Sequence, residues 1–223
     1  MGLWRISRRN PANAVPDFRS LLQIDVIESA QTAPHLLSQI PERLDRLVRI
    51  GLADVDLDRE SAVGHQYTGD GQSFAFSSRQ LGQVVDLAYI LAELVFDHNK
   101  WYKPELRLRI AVEVGPLPAK PGLYPSNISC NRLLESPQFK KLALRCAKER
   151  LGSSMSIALI ISNTTYRTIF SGNHTKLAKR RDFAQLAVAF KEFEDTSWVS
   201  VPGFDAYSLG KLIAEGDAYD APP

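Results

Sequence analysis

Two cysteines in 223 residues, Cys130 and Cys146, are too few for a disulfide framework, and neither sits in a CxxC pair. That excludes a disulfide-stapled secreted domain and makes a reducing cytoplasm the expected compartment. No apolar run approaches the ~18 residues of a membrane-spanning helix. The opening MGLWRISRRNPANAVPDF is basic but lacks the apolar core of a secretory signal, and Ile6 breaks the myristoylation pattern. His35, His98 and His174 are scattered and form no metal-spaced cluster. An excess of one charge is missing too. Lys and Arg number 27 and Asp and Glu 25, a net of 27 − 25 = +2, which argues against nucleic-acid binding by bulk electrostatics. The one dense basic run, KLAKRR (176–181), reads as a solvated loop or helix end.

What is present fits one globular domain with a real core: 44% of residues are hydrophobic and 23% charged. FRSLLQIDVI (18–27) reads as a buried strand. Leu36, Leu37, Ile40, Leu44, Leu47 and Val48 then recur at helical spacing, with Pro34 and Pro41 predicting an early break. DVDLDRESA (54–62) is an acidic connector. In HQYTGDGQSFAF (65–76) an Asp-Gly turn between apolar runs predicts a hairpin. LGQVVDLAYILAELVFDHNK (81–100) is the clearest helix. LRLRIAVEVG (106–115) alternates and predicts a half-exposed strand. After a Pro/Gly-rich loop, NISCNRLLES and QFKKLALRCAKERLG predict two helices, the first stopped by Pro137 and the second ending at Gly152. MSIALIIS (155–162) is a buried strand and NTTYRTIF a helix capped by Ser162 or Asn163. DFAQLAVAFKEF and SWVSVPG read as closing strands. The order β α β β α β (α α) β α β β predicts an α/β (α+β) sandwich, a mostly antiparallel sheet with helices packed on a face.

Two acids stand out. Asp25 is the only acid inside the first strand, and a buried lone carboxylate is costly unless paired or bound to a cation. Asp70 sits in the hairpin turn. A divalent cation between them would remove their repulsion. The amides of Ile27, Glu28, Ser29 and Ala30 would open a helix N-terminus, which accepts phosphate oxygens. Two acids and a phosphate cradle are the parts for two-metal phosphoryl chemistry.

FRSLLQIDVIES, YTGDGQSFAF with its aspartate 70 − 25 = 45 residues later, LRLRIAVEVGPL, NISCNRLLES, MSIALIISNTTY and SWVSVPG resemble, in order and spacing, the class III nucleotidyl cyclase catalytic domain. The resemblance covers residues 18–203, leaving 1–17 as an N-terminal extension and 204–223 as a C-terminal tail. With no sensor or coiled-coil module beside it, the domain looks most similar to the pyrimidine cyclases of bacterial Pycsar antiphage systems. The resemblance implies conversion of UTP to 3′,5′-cyclic UMP and pyrophosphate, with CTP as the alternative substrate and a non-catalytic nucleotide-binding relative as the alternative class. It implies two divalent ions, Mn²⁺ or Mg²⁺, held by Asp25, Asp70 and the carbonyl of Val26. It also implies a triphosphate on the amides of Ile27, Glu28 and Ser29 beside Gly69, and a homodimer with shared active sites.

The sequence departs from that family in two places. Purine cyclases carry a base-reading lysine where this chain has Gln66, followed by Tyr67. Gln offers both a donor and an acceptor, and Tyr67 would narrow the pocket, which suits a pyrimidine. Only one of the two can face inward from a strand. The family's transition-state Asn and Arg stand four residues apart on a helix. Here Arg132 follows Asn127 by five and Asn131 by one, so either asparagine is a candidate partner. Lys176, Lys179, Arg180 and Arg181 are candidates for a phosphate-binding cation.

Overall fold

The computed structural model describes residues 15–29, 32–118, 124–149 and 155–220. Its strands are β1 (Phe18–Val26), β2 (Gly64–Tyr67), β3 (Gln72–Ser77), β4 (Leu108–Pro116), β5 (Ile157–Ile161), β6 (Ala184–Phe190) and β7 (Phe193–Ser200). Its helices are α1 (Pro34–Leu37), α2 (Gln39–Asp54), α3 (Leu81–Trp101), α4 (Pro125–Glu135), α5 (Pro137–Lys148), α6 (Asn163–Phe170) and α7 (Ala206–Asp220).

The strands form one sheet in the order β2-β3-β1-β4-β5-β7-β6. Every neighbouring pair is antiparallel except β4 and β5, which the α4–α5 crossover joins in parallel. Successive strand side chains point to opposite faces. Leu22, Ile24 and Val26 of β1 therefore enter a core shared with α2, α3 and α6, while Leu21 enters a second core under α4, α5 and α7. The expectation of helices on a single face is corrected: both faces are covered.

The same finding corrects the reading of β4 as half-exposed. Leu108, Ile110, Ala111, Val112 and Val114 are all buried, because a central strand between two helical layers has no solvent face. The charges that produced the alternation are Arg109, ion-paired with Asp25, and Glu113, bonded to Ser162.

The break near Pro34 and Pro41 appears as the separation of α1 from α2, with Pro41 in the first turn of α2, where no amide partner is lost. Helix α4 ends before Pro137 as expected, and the α6 cap is Ser162, whose hydroxyl accepts from the Thr165 amide at 3.1 Å. α5 ends at Lys148; Gly152 lies outside the described residues. Residues 204–223 contain α7, whose buried Leu209 seals the second core beside α5 and β6. Cys130 and Cys146 are free thiols buried in that core.

Candidate active site

The register of the sheet builds the site. The last β1–β3 pair is Ile24 with Gln72, so the turn of residues 68–71 lies just past the end of that ladder, over Asp25. The turn closes with the Thr68 amide donating to the Gly71 carbonyl at 3.0 Å. Gly69 takes φ +83°, open to glycine without strain. Gly71 is required for a different reason: a Cβ there would come within 2.3 Å of the Ile24 carbonyl oxygen. This close approach seats Asp70 against β1. The Ser29 hydroxyl donates to the Asp70 carboxylate and ties the segment after β1 to the turn. Asp25 and Asp70 line one cavity of about 260 Å³, with Gln23, Ile24, Thr68, Gln72, Asn131, Leu134 and Glu135.

Burial, opposed by Arg109 and reinforced by the negative charge of Asp70, leaves the Asp25 carboxyl above its ordinary pKa. Arg109, opposite Asp25 in β4, pairs with its carboxylate and lies 3.9 Å from Glu135. The sequence had demanded either a partner or a cation for a buried Asp25; the chain itself supplies a partner, and only in part. The donor set still suits a hard divalent cation. Mg²⁺ and its relatives are commonly held by one or two carboxylates, with waters and substrate phosphates completing the shell. Asp25 and Asp70 are such a pair, with Val26 next to Asp25 at the end of β1. Among the described residues no cluster of three or more His, Cys, Asp or Glu could hold a metal ion by itself.

The α-helix N-terminus expected from Ile27 onward does not form there. Ile27 and Glu28 lie in a turn, Glu28 has φ +56°, and the first α-helix begins only at Pro34. The Ile27 amide donates to the Arg107 carbonyl at 2.8 Å and so extends the sheet rather than facing a ligand. Ala30 lies outside the described residues. A cation not foreseen, Arg109, stands beside the acids instead.

Cross-strand partners share a face. Gln66 pairs with Ser73, and Ser73 with Gln23, which puts Gln66 on the Asp25 face of the sheet. Tyr67 pairs with Gln72 and lies on the other face, where its hydroxyl donates to Asp45 at 2.9 Å and accepts from Arg59 at 3.0 Å. Tyr67 is thus committed to α2, and of the two base-reading candidates only Gln66 remains on the site's face.

Helix α4 divides its three candidates. Asn131 lines the cavity. Asn127 accepts from the Tyr124 amide at 2.7 Å, a cap at the start of the helix. Arg132 is ion-paired with Glu192 in the β6–β7 turn and does not line the cavity of Asp25 and Asp70. The basic run is at the opposite end of the sheet from Asp25: the amides of Lys176, Leu177 and Ala178 converge on the buried Asp86 carboxylate near the start of α3, at 2.6–3.0 Å. Lys176, Lys179, Arg180 and Arg181 therefore do not line this chain's cavity. Sequence reading missed Arg109, Gln23, Thr68 and Glu135. The signal that finds Arg109 is the pairing of Asp25 with β4, which needs the register.

No family model matches the chain, and no curated protein matches it. Solved structures do share its fold. An adenylate/guanylate cyclase/hydrolase from Silicibacter pomeroyi superposes with a TM-score of 0.55 at 16% identity, over 85% of this chain and 99% of that one. A bacterial light-regulated adenylyl cyclase gives 0.52 at 12% identity over 92% of this chain, which spans 60% of the cyclase's length. The dimeric guanylyl cyclase domain of the RhoGC fusion protein from the fungus Blastocladiella emersonii gives 0.50 at 14% identity, over 84% of this chain and 97% of that domain. The chain has the class III nucleotidyl cyclase fold.

Proposed function

We propose that this chain is a nucleotidyl cyclase that converts UTP to 3′,5′-cyclic UMP and pyrophosphate. The observation that carries the reading is the meeting of Asp25 and Asp70, from β1 and the β2–β3 turn, in one cavity, with Arg109 paired to Asp25. In the reaction the ribose 3′-oxygen attacks the α-phosphorus, its proton leaves, and the bond to pyrophosphate breaks. Divalent cations held by Asp25 and Asp70 would supply acidification of the 3′-hydroxyl and neutralisation of phosphate charge. Ser29 fixes the Asp70 carboxylate. Arg109 is placed to exchange its contact with Asp25 for a phosphate oxygen once Asp25 is engaged. Asn131 faces the same space and can orient the ribose.

Arg132 and Asn127 stand outside their own chain's cavity, which supports a homodimer in which a second copy presents α4 to this site. Gln66, on the site's face in place of a lysine, supports a pyrimidine over a purine, with CTP as the alternative to UTP. A cytoplasmic second-messenger synthase of Pycsar-type antiviral defence is the role this chemistry would serve. The two buried free thiols fit a reducing compartment, and no helix among the described residues is long and apolar enough to cross a membrane. One observation favours a non-catalytic nucleotide-binding relative: Arg132 and Asn127 are both engaged in contacts of their own.

The test is incubation of the purified chain with each of the four nucleoside triphosphates and Mn²⁺, with products resolved by mass. Cyclic UMP from the wild type and none from Asp70→Ala, at an unchanged melting temperature, is the expected result. Cyclic AMP or GMP would discard the pyrimidine assignment and keep the chemistry. Nucleotide binding without product would favour the non-catalytic reading.

A further inference from the structure

A buried amide oxygen without a partner costs stability, and folded proteins hold few of them. The Oε1 of Gln23 is one, and it sits in the wall of the Asp25–Asp70 cavity. Gln23 is two residues before Asp25 on the same strand, so both side chains project from the same face, with their Cα atoms ~7 Å apart. Its cross-strand neighbours are Ser73 and Ala111, both small, which leaves the amide room to extend. Asn131 and Leu134 of α4 line the same space. A hydrophobic residue of this size would fit the strand pattern and leave no unmet group. The position instead carries an amide whose partner is not supplied by the described residues.

We infer that the side-chain amide of Gln23 is a substrate-contact group that binds the 2′-hydroxyl of the nucleotide's ribose and sets the preference for ribonucleotides over deoxyribonucleotides. The chemistry selects a hydroxyl. Phosphate oxygens only accept and cannot satisfy the amide oxygen, and a metal-bound water would meet that oxygen but only donates, leaving the amide NH2 without an acceptor. A hydroxyl does both, so it serves either orientation of the amide. Position selects the ribose. Triphosphate oxygens would be held by Arg109 and by the cations that Asp25 and Asp70 bind, and the sugar adjoins the α-phosphate, so a group one strand step inward from Asp25 meets the sugar rather than the phosphates. The inference rests on the cyclase reading, and it adds a residue to which that reading gives no role.

The experiment compares the wild type with Gln23→Leu and Gln23→Met, both close in volume and unable to hydrogen-bond. Three quantities are read: melting temperature without nucleotide, its shift on adding UTP or 2′-deoxy-UTP with Mg²⁺, and kcat/KM for each of the two. The wild type is expected to prefer UTP. The variants are expected to melt higher than the wild type without nucleotide, because the unmet amide is gone. They should also lose about tenfold in kcat/KM for UTP, the usual effect of one substrate hydrogen bond, and little for 2′-deoxy-UTP. Gln23→Met keeps the test decisive if the branched Leu packs badly. Equal losses with both nucleotides, or no change with either, would overturn the inference. A wild-type chain whose melting temperature no nucleoside triphosphate moves would instead overturn the cyclase reading beneath it.

Discussion

Asp25, Arg109 and Glu113 all face the α4 side of the sheet, yet their chemistry differs because their neighbours differ. Asp25 has a cation opposite and a carboxylate nearby, a balance that an incoming cation or phosphate can tip. Glu113 has the Ser162 hydroxyl at 2.8 Å and the Val114 amide at 2.9 Å, and Asp195 adds a negative charge on its side. Burial dominates and pushes the Glu113 carboxyl up from 4.5 to about 7. The folded chain therefore holds a proton there that the unfolded chain releases. The contribution is complete below about pH 4.5 and is lost as pH rises to about 7. At pH 8 the ionised, buried carboxylate costs on the order of 3 kcal/mol. Glu113→Gln keeps the acceptor and removes the ionisation. Denaturant titration should show the variant more stable than the wild type by that order at pH 8, and the difference shrinking towards pH 4.5. A pH-independent difference would mean that Glu113 is not the titrating group.

The β2–β3 hairpin delivers Asp70, and its hold on β1 is a matter of one absent methyl group. Any side chain at residue 71 collides with the Ile24 carbonyl, which is backbone and cannot turn aside. Gly71→Ala should push the turn off β1, cost roughly 1–3 kcal/mol of stability, and carry Asp70 out of reach of Asp25. Asp70→Ala, by contrast, should remove activity and leave the melting temperature in place. The pair separates a displaced acid from a missing one: if Gly71→Ala keeps wild-type turnover, the close approach at Ile24 is not what positions Asp70. The hairpin was legible from its Asp-Gly turn. Which strand it would lie against, and so which acid it would meet, was not, because register comes from pairing partners distant in sequence.

At the scale of the whole molecule, the cavity of one chain is lined by Asp25, Asp70 and Asn131, with Arg109 paired to Asp25, while Arg132 is carried on α4 to the β6–β7 turn. A two-fold dimer that set α4 of one copy against the cavity of the other would complete two equivalent sites. Mixing Asp70→Ala chains with Arg132→Ala chains tests this directly. Each is expected to be inactive alone. After subunit exchange, half of the dimers are mixed and each mixed dimer has one intact site, so activity should return to about a quarter of wild type. No recovery at any mixing ratio would place Arg132 outside the partner's chemistry.

The sequence alone determined the element order from β1 to β7, because hydrophobic periodicity and the Pro and Gly punctuation are local properties of the chain; α7, in the stretch read as a tail, was not foreseen. It also picked out Asp25 and Asp70, since an acid in an apolar strand and an acid in a glycine turn are conspicuous without a fold. Tertiary structure decided everything that depends on facing. It covered both sides of β4, turned Tyr67 towards Asp45, drew the basic run to Asp86 at the far end of the sheet, and set Arg109 opposite Asp25. A strand shifted by one residue reverses every face without altering its pattern. Periodicity can therefore name the residues on one face, but only the packed sheet decides what that face meets.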